Sequence, residues 1–202
     1  MASLLCGVAI NDAGYEVSPC KFYGTWKRMV ERCYAPSMLK RNPTYAGDTV
    51  CTEWLTFSNF KAWMEMQPWE GMELDKDLLV SGNTVYSPET SCFVPKKINL
   101  LLSTSDGKRG NFALGVCLHS QSRHKYQARS KVYIGLFDTE QSAHKAKKKK
   151  KAIDLFDAII DWQFDPKLNH TFNQRVACNI LKVSDKLTED RLLNNETKSL
   201  KI

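Results

Sequence analysis

The chain has no run of about 18 apolar residues able to span a bilayer, and its opening, Met1 to Gly14, turns polar too soon for a secretory signal. A cytoplasmic chain with no membrane partner is therefore expected. No Cys-x-x-Cys pair occurs, and the seven cysteines, at positions 6, 20, 33, 51, 92, 117 and 178, are odd in number. That argues against both a disulfide framework and a ribbon-type zinc site, and predicts free thiols. Histidine is scarce as well, with four in 202 residues. His119 and His124 fall in a basic stretch, His144 in a helical pattern and His170 in a loop, so none is marked for proton transfer.

Positive charge is plentiful and unevenly placed. Residues 1 to 106 carry ten Lys and Arg against twelve Asp and Glu, residues 107 to 170 thirteen against six, and residues 171 to 202 six against four. The excess sits in the middle segment, which is the footprint that counterion release from a polyanion rewards. An anionic membrane surface would reward it too. However, after Thr139 the pattern mixes Asp154, Asp157 and Asp161 with Ile153, Phe156, Ile159 and Ile160, which suits packing on a sheet better than lying on lipid. The lysines from 147 to 151 run fully around a helix, and a solvated face and phosphate contact both remain open for them.

Within the basic segment, Asn111 to Ala152 reads as three short strands and a helix. The alternation from Lys125 to Lys131 sends Tyr126 and Ala128 to one face and Lys125, Gln127, Arg129 and Lys131 to the other, with Arg123 just ahead. One face packs, and the other presents groups suited to phosphates and base edges. Val132 to Phe137 is an apolar strand ending at Asp138, a candidate helix cap with Gln141 closing a capping box. Gly115-Val116, the Tyr126-x-Ala128 pair, Tyr133-Ile134-Gly135-x-Phe137-Asp138-Thr139, and Ala143 with Ala146 together resemble the Apetala-two or ethylene-response-factor type of DNA-binding domain, found also in phage homing endonucleases. The resemblance implies a sheet that enters the major groove with the helix behind it. It makes Arg123, Lys125, Gln127, Arg129 and Lys131 the DNA-binding set and double-stranded DNA the partner. Cys117 stands where that family usually has an arginine after Gly-Val, so its base preference is not carried over.

The first half has a different texture. Trp26, Met29, Val30 and Cys33 recur at helical spacing between Gly24 and Tyr34, with Pro36 as a stop. Further on, Trp54, Phe57, Phe60, Trp63 and Met64 share one broad face, with Ser58 as a candidate cap. These aromatics read as core. From Glu73 onward the pattern predicts strands Leu74 to Val80 and Thr84 to Tyr86, joined by a Ser81-Gly82-Asn83 turn, with Ser87 to Thr90 opening a turn or short helix. A hairpin bearing an acid pair can hold carboxylates around a divalent ion, which would stabilise charge on a scissile phosphate.

Asp75-Lys76, Asn83 and Glu89-Thr90 resemble a degenerate HNH nuclease motif of the kind that accompanies the Apetala-two type domain in phage homing endonucleases. The resemblance implies a catalytic set of Asp75, Lys76 and Asn83, with Asn83 bracing the loop, and metal ligands at Asp75 and Thr90. Lys76 replaces the family's base histidine and Thr90 its second ligand. Asp77, two residues beyond Asp75, is the candidate substitute ligand. Lys76 would act as a base of lowered pKa or as a phosphate clamp, and a plain surface charge cluster is the alternative.

The expectation is an α+β chain: an HNH-like β-hairpin and helix region with aromatic helices at 1–106, an Apetala-two-like domain with a three-stranded antiparallel sheet on one helix at 107–165, and a helical tail at 166–202. Residues 103 to 110 form the linker. Val176, Ile180 and Leu181 predict a tail helix that packs on the core or meets a second copy. The expected function is site-directed, homing-type DNA endonuclease activity with Mg2+ or Mn2+, in a bacterial host's cytoplasm if phage-encoded. The alternative is a catalytically inactive DNA-binding regulator or accessory factor of nuclease-like shape.

Overall fold

The computed structural model describes residues 4–103, 111–119, 126–130 and 132–188. The chain divides into two compact units, Met1–Lys96 and Lys97–Ile202. The expected linker at 103–110 lies almost wholly outside the described residues. The architecture is mixed α+β, with small sheets and six α-helices among the described residues.

In the first unit, α1 (Lys21–Tyr34) buries Trp26, Met29, Val30 and Cys33, the i, i+3, i+4, i+7 face of an amphipathic helix. Ala35 is extended, as a residue before proline must be, and Pro36 opens α2 (Pro36–Arg41) at a position where its missing N–H costs nothing. The Trp26 indole donates to the Trp54 carbonyl at 2.6 Å, so a buried polar group is satisfied. Helix α3 (Phe57–Glu65) adds Phe57, Phe60 and Met64 to the same core. Ser58 is not its side-chain cap. Instead its backbone N–H donates to the Asp12 carboxylate at 2.9 Å, and the Ser58 hydroxyl first, then this N–H, hold Asp12 below the ordinary carboxylate range against partial burial. The aromatic core expected from sequence is present, with Trp54 and Trp63 at 4.4 Å between ring centres.

The strands of this unit pair differently from expectation. Strand β2 (Met72–Asp75) runs antiparallel to β4 (Cys92–Pro95), with Asp75 opposite Cys92. Strand β3 (Val85–Tyr86) lies parallel to β1 (Thr49–Val50) instead of closing a hairpin with β2. The predicted strand from Leu74 to Val80 ends at Asp75 because that side chain accepts from the N–H groups of Asp77 and Leu78, at 2.9 and 2.8 Å. An Asx turn of this kind bends the chain out of the ladder. Helix α4 (Lys96–Leu102) follows β4 directly.

The second unit carries an antiparallel sheet in the order β5 (Val116–Leu118), β6 (Tyr126–Arg129), β7 (Tyr133–Phe137). Helix α5 (Glu140–Phe164) packs across it. Val116, Ala128 and Ala143 are buried where helix meets sheet, and the two alanines let them approach closely. The helix starts one residue later than Asp138 would allow. Thr139 is the N-cap, accepting from the Ser142 N–H at 3.1 Å, while Gln141 is exposed. The tail helix α6 (Gln174–Thr188) packs on α5 through Val176, Ala177 and Ile180, and the Ser184 hydroxyl donates to the Ala152 carbonyl at 3.2 Å. No helix among the described residues is long and apolar enough to cross a membrane.

Candidate nucleic-acid interface and the Asp75 loop

The sheet of the second unit has two unlike faces. Ala128 is sealed against α5 and Tyr126 packs at the same cluster, whereas Gln127 and Arg129, one residue out of phase, face away. The exposed Cys117 pairs with Gln127 across the strands, its thiol 3.7 Å from the amide oxygen. A register shift at Ala128/Arg129 sets Arg129 opposite Tyr133, which is 56% exposed. Such a bulge re-aims side chains at a sheet margin. Arg123, Lys125 and Lys131 lie outside the described residues, so the expected set of five is represented here by Gln127 and Arg129.

The turn into β5 depends on Gly115. Its φ of +76° favours glycine, and a Cβ there would stand 2.6 Å from the Arg129 carbonyl oxygen and 2.6 Å from Cδ and Cε of Lys147. The Arg129 N–H donates to the Gly115 carbonyl at 2.8 Å. Lys147 lies over the glycine and donates to the Leu114 carbonyl at 2.8 Å. Lys150 pairs with Asp154, and Lys149 is the exposed member of the lysine run.

Around Asp75 the first unit builds a closed network. Lys76 is 7% exposed, and its ammonium group donates to Asp77 Oδ1 at 2.7 Å and to the Asn83 carbonyl at 3.0 Å. It also lies 3.2 Å from Oδ2 of Asp48, which is 6% exposed; no hydrogen bond reaches that oxygen, so the contact is an ion pair. Burial alone would lower the Lys76 pKa, but the Asp77 and Asp48 carboxylates outweigh it and raise the value. A lysine so placed stays protonated. Buried, with two N–H groups bonded and its charge held between Asp77 and Asp48, it presents neither an exposed ammonium group for a phosphate nor a lone pair for a water proton, so neither expected role, base or clamp, suits these surroundings. Asp48 itself is raised by burial, with Lys76 pulling it back. Burial also pushes the neighbouring Cys33 thiol up to about 12, which leaves no thiolate there at neutral pH.

Asn83 does brace the loop. Its amide donates to the Lys76 and Val85 carbonyls at 2.9 and 2.7 Å, and its oxygen accepts from the Val85 N–H at 3.2 Å. Thr90 lies in a turn, as one of the two expected conformations had it, and its hydroxyl donates to the Val85 carbonyl at 2.7 Å. The strand has ended before Asp77, so the period-two argument that put it on the face of Asp75 does not apply; its exposed carboxylate is engaged by Lys76. Burial raises the Asp75 carboxyl, against the Leu78 and Asp77 N–H bonds that favour its charge. Among the described residues no three His, Cys, Asp or Glu side chains gather as a metal site. Asp75 Oδ1, Asp77 Oδ1 and the Thr90 hydroxyl are each engaged within the loop.

Two features escaped sequence reasoning. Asp48 lies in a Gly-Asp turn far from Lys76 in the chain and carries no local signal. A cleft of about 450 Å³ between α1 and β2 gathers Arg28, Arg32 and Lys96; the spacing of Thr25, Arg28 and Arg32 along one side of α1, flanking its buried face, was a legible hint, but the arrival of Lys96 was not. No family model, curated protein or solved structure matches the chain.

Proposed function

We propose that the chain is a duplex-DNA-binding protein of the homing-endonuclease type that reads the major groove with the outer face of its three-stranded sheet. The observation that carries this reading is the opposition of faces: Ala128 sealed on α5, Gln127 and Arg129 outward, in a segment holding thirteen cations against six acids. The major groove, about 12 Å wide, admits a β-ribbon, and arginine and glutamine make bidentate contacts to guanine and adenine edges. In this reading the first unit keeps a nuclease-like strand, loop and strand as a braced scaffold, because Lys76 has no proton-accepting form to offer.

Fluorescence anisotropy on random and selected duplexes tests it. Affinity falls with salt at a log–log slope of about −0.9 per phosphate neutralised. Arg129→Ala weakens binding, and Gln127→Ala relaxes preference at one base position. Parent-like binding by both variants would show that the assigned face is wrong.

Hydrolysis is the second reading, favoured by one observation: both hydrogen bonds to Asp75 reach Oδ1, leaving Oδ2 as an available oxygen. A plasmid-nicking assay with Mg2+ or Mn2+ separates the two. Absence of nicking with intact binding is the expected result. Nicking by the parent that disappears in Asp75→Ala would establish the endonuclease.

A further inference from the structure

The first unit carries fewer cations than acids, yet three of its cations meet in one place. Thr25, Arg28 and Arg32 stand at i, i+3 and i+7 on α1, one above another on a single face. The cleft they line is bounded on the other side by β2, and Lys96 lines it too. Arg32 is half-buried and anchored by Tyr86 first, then by Tyr45, whose ring centre lies 5.9 Å from the guanidinium, and by the field of Glu73. Among the described residues Arg28 makes one side-chain hydrogen bond, to the Thr25 hydroxyl at 3.4 Å, and neither Arg28 nor Lys96 forms an ion pair. Glu73 is the one acid in the lining, so the cleft keeps a net positive charge.

We infer that this cleft binds a backbone phosphate of duplex DNA, giving the first unit a contact of its own with the nucleic acid. The chemistry selects the ligand. Guanidinium and ammonium groups match the oxygens of a phosphodiester, and arginine pairs with them bidentately, while the Thr25 hydroxyl is already donated to the Lys21 carbonyl at 3.2 Å. The lining offers no aromatic ring on which a base could stack, which disfavours a nucleotide or an unpaired strand. An interaction made only with phosphate adds affinity without sequence preference. The inference rests on the DNA-binding reading and extends it to a surface outside the sheet.

The test uses the full chain and the double variant Arg28→Gln/Lys96→Gln, with Lys40→Gln, an exposed cation outside the cleft, as control. Binding is measured by anisotropy from 50 to 200 mM salt on a selected and an unrelated duplex. The expected result is a salt slope shallower by about 0.9 for each phosphate that the variant no longer neutralises, equal weakening on both duplexes, and no change for Lys40→Gln. Glu73→Gln tightens binding, a gain that misfolding does not produce. An unchanged slope in the double variant, with Arg129→Ala still weakening binding, overturns the cleft and leaves the sheet reading intact. A parent chain that fails to bind duplex DNA at low salt overturns both.

Discussion

Lys76→Met removes the cation at the centre of the Asp75 loop while preserving much of the side-chain volume. At 3.2 Å, and with an effective dielectric of about 20, the attraction between Lys76 and Asp48 is on the order of 5 kcal/mol. Desolvation of both groups offsets much of that gain. Deleting one partner is another matter, because it leaves the Asp48 carboxylate buried and uncompensated at a cost of about 3–5 kcal/mol. The Asn83 carbonyl also loses its donor, worth roughly 1 kcal/mol. Against a folding free energy of about 5–15 kcal/mol, the first unit should unfold at a midpoint lower by about 12 °C or more. Burial and loss of the cation both raise the Asp48 pKa above its unfolded value, so ionising Asp48 opposes folding and the deficit shrinks as pH falls toward the carboxylate range. In the parent, the raised Lys76 value gives stability that is present below the ordinary lysine pKa of about 10.4 and lost as pH climbs through the folded value. Thermal and urea unfolding across pH measure these effects, and Lys76→Met/Asp48→Asn should recover more than half of the loss. A Lys76→Met chain within about 1 kcal/mol of the parent, less than the cost of a broken buried pair, would refute the buried-pair account. Normal stability with lost DNA affinity or nicking would return Lys76 to the functional set.

Gly115→Ala places a left-handed residue at a cost of about 1–2 kcal/mol and drives its Cβ into the Arg129 carbonyl. Circular dichroism melts should show the second unit destabilised, and Lys147→Ala should not rescue it, since the clash with backbone remains. Thr139→Ala deletes the side-chain cap of α5 and should cost about 1 kcal/mol in the same assay. Cys117 is exposed beside Gln127, so saturating duplex should slow its alkylation while leaving the exposed Cys178 on α6 unaffected. Equal protection or no protection at both cysteines would place DNA elsewhere.

Sequence alternation revealed the second unit well because its information is local. Tyr126 and Ala128 against Gln127 and Arg129 follow from a period of two, and the residues flanking Thr139 announce a helix within one position. The first unit was less legible because its decisive interactions are long-range. The strand expected from Leu74 to Val80 ends at Asp75, where an Asx turn competes with the ladder, and β3 finds β1 across 36 residues, as Thr49 opposite Val85 shows. The meaning of Lys76 depended on Asp48, 28 positions earlier, and no periodicity reports such a partner. Asn83 braces the loop as expected, and Thr90 lies in a turn, one of the two conformations expected for residues 87 to 90, ahead of α4 at Lys96.

The lysine stretch on α5 is less of a polycation than its letters imply. Lys147 is spent on a carbonyl and on covering Gly115, Lys150 on Asp154, and of the five from 147 to 151 only Lys149 has an exposed side chain. Tallying side chains by formal charge would therefore overstate how many cations this helix can lend to a polyanion. Acetylation of that stretch should accordingly be felt first as looser seating of the helix on its sheet, and only secondarily as weakened electrostatic capture.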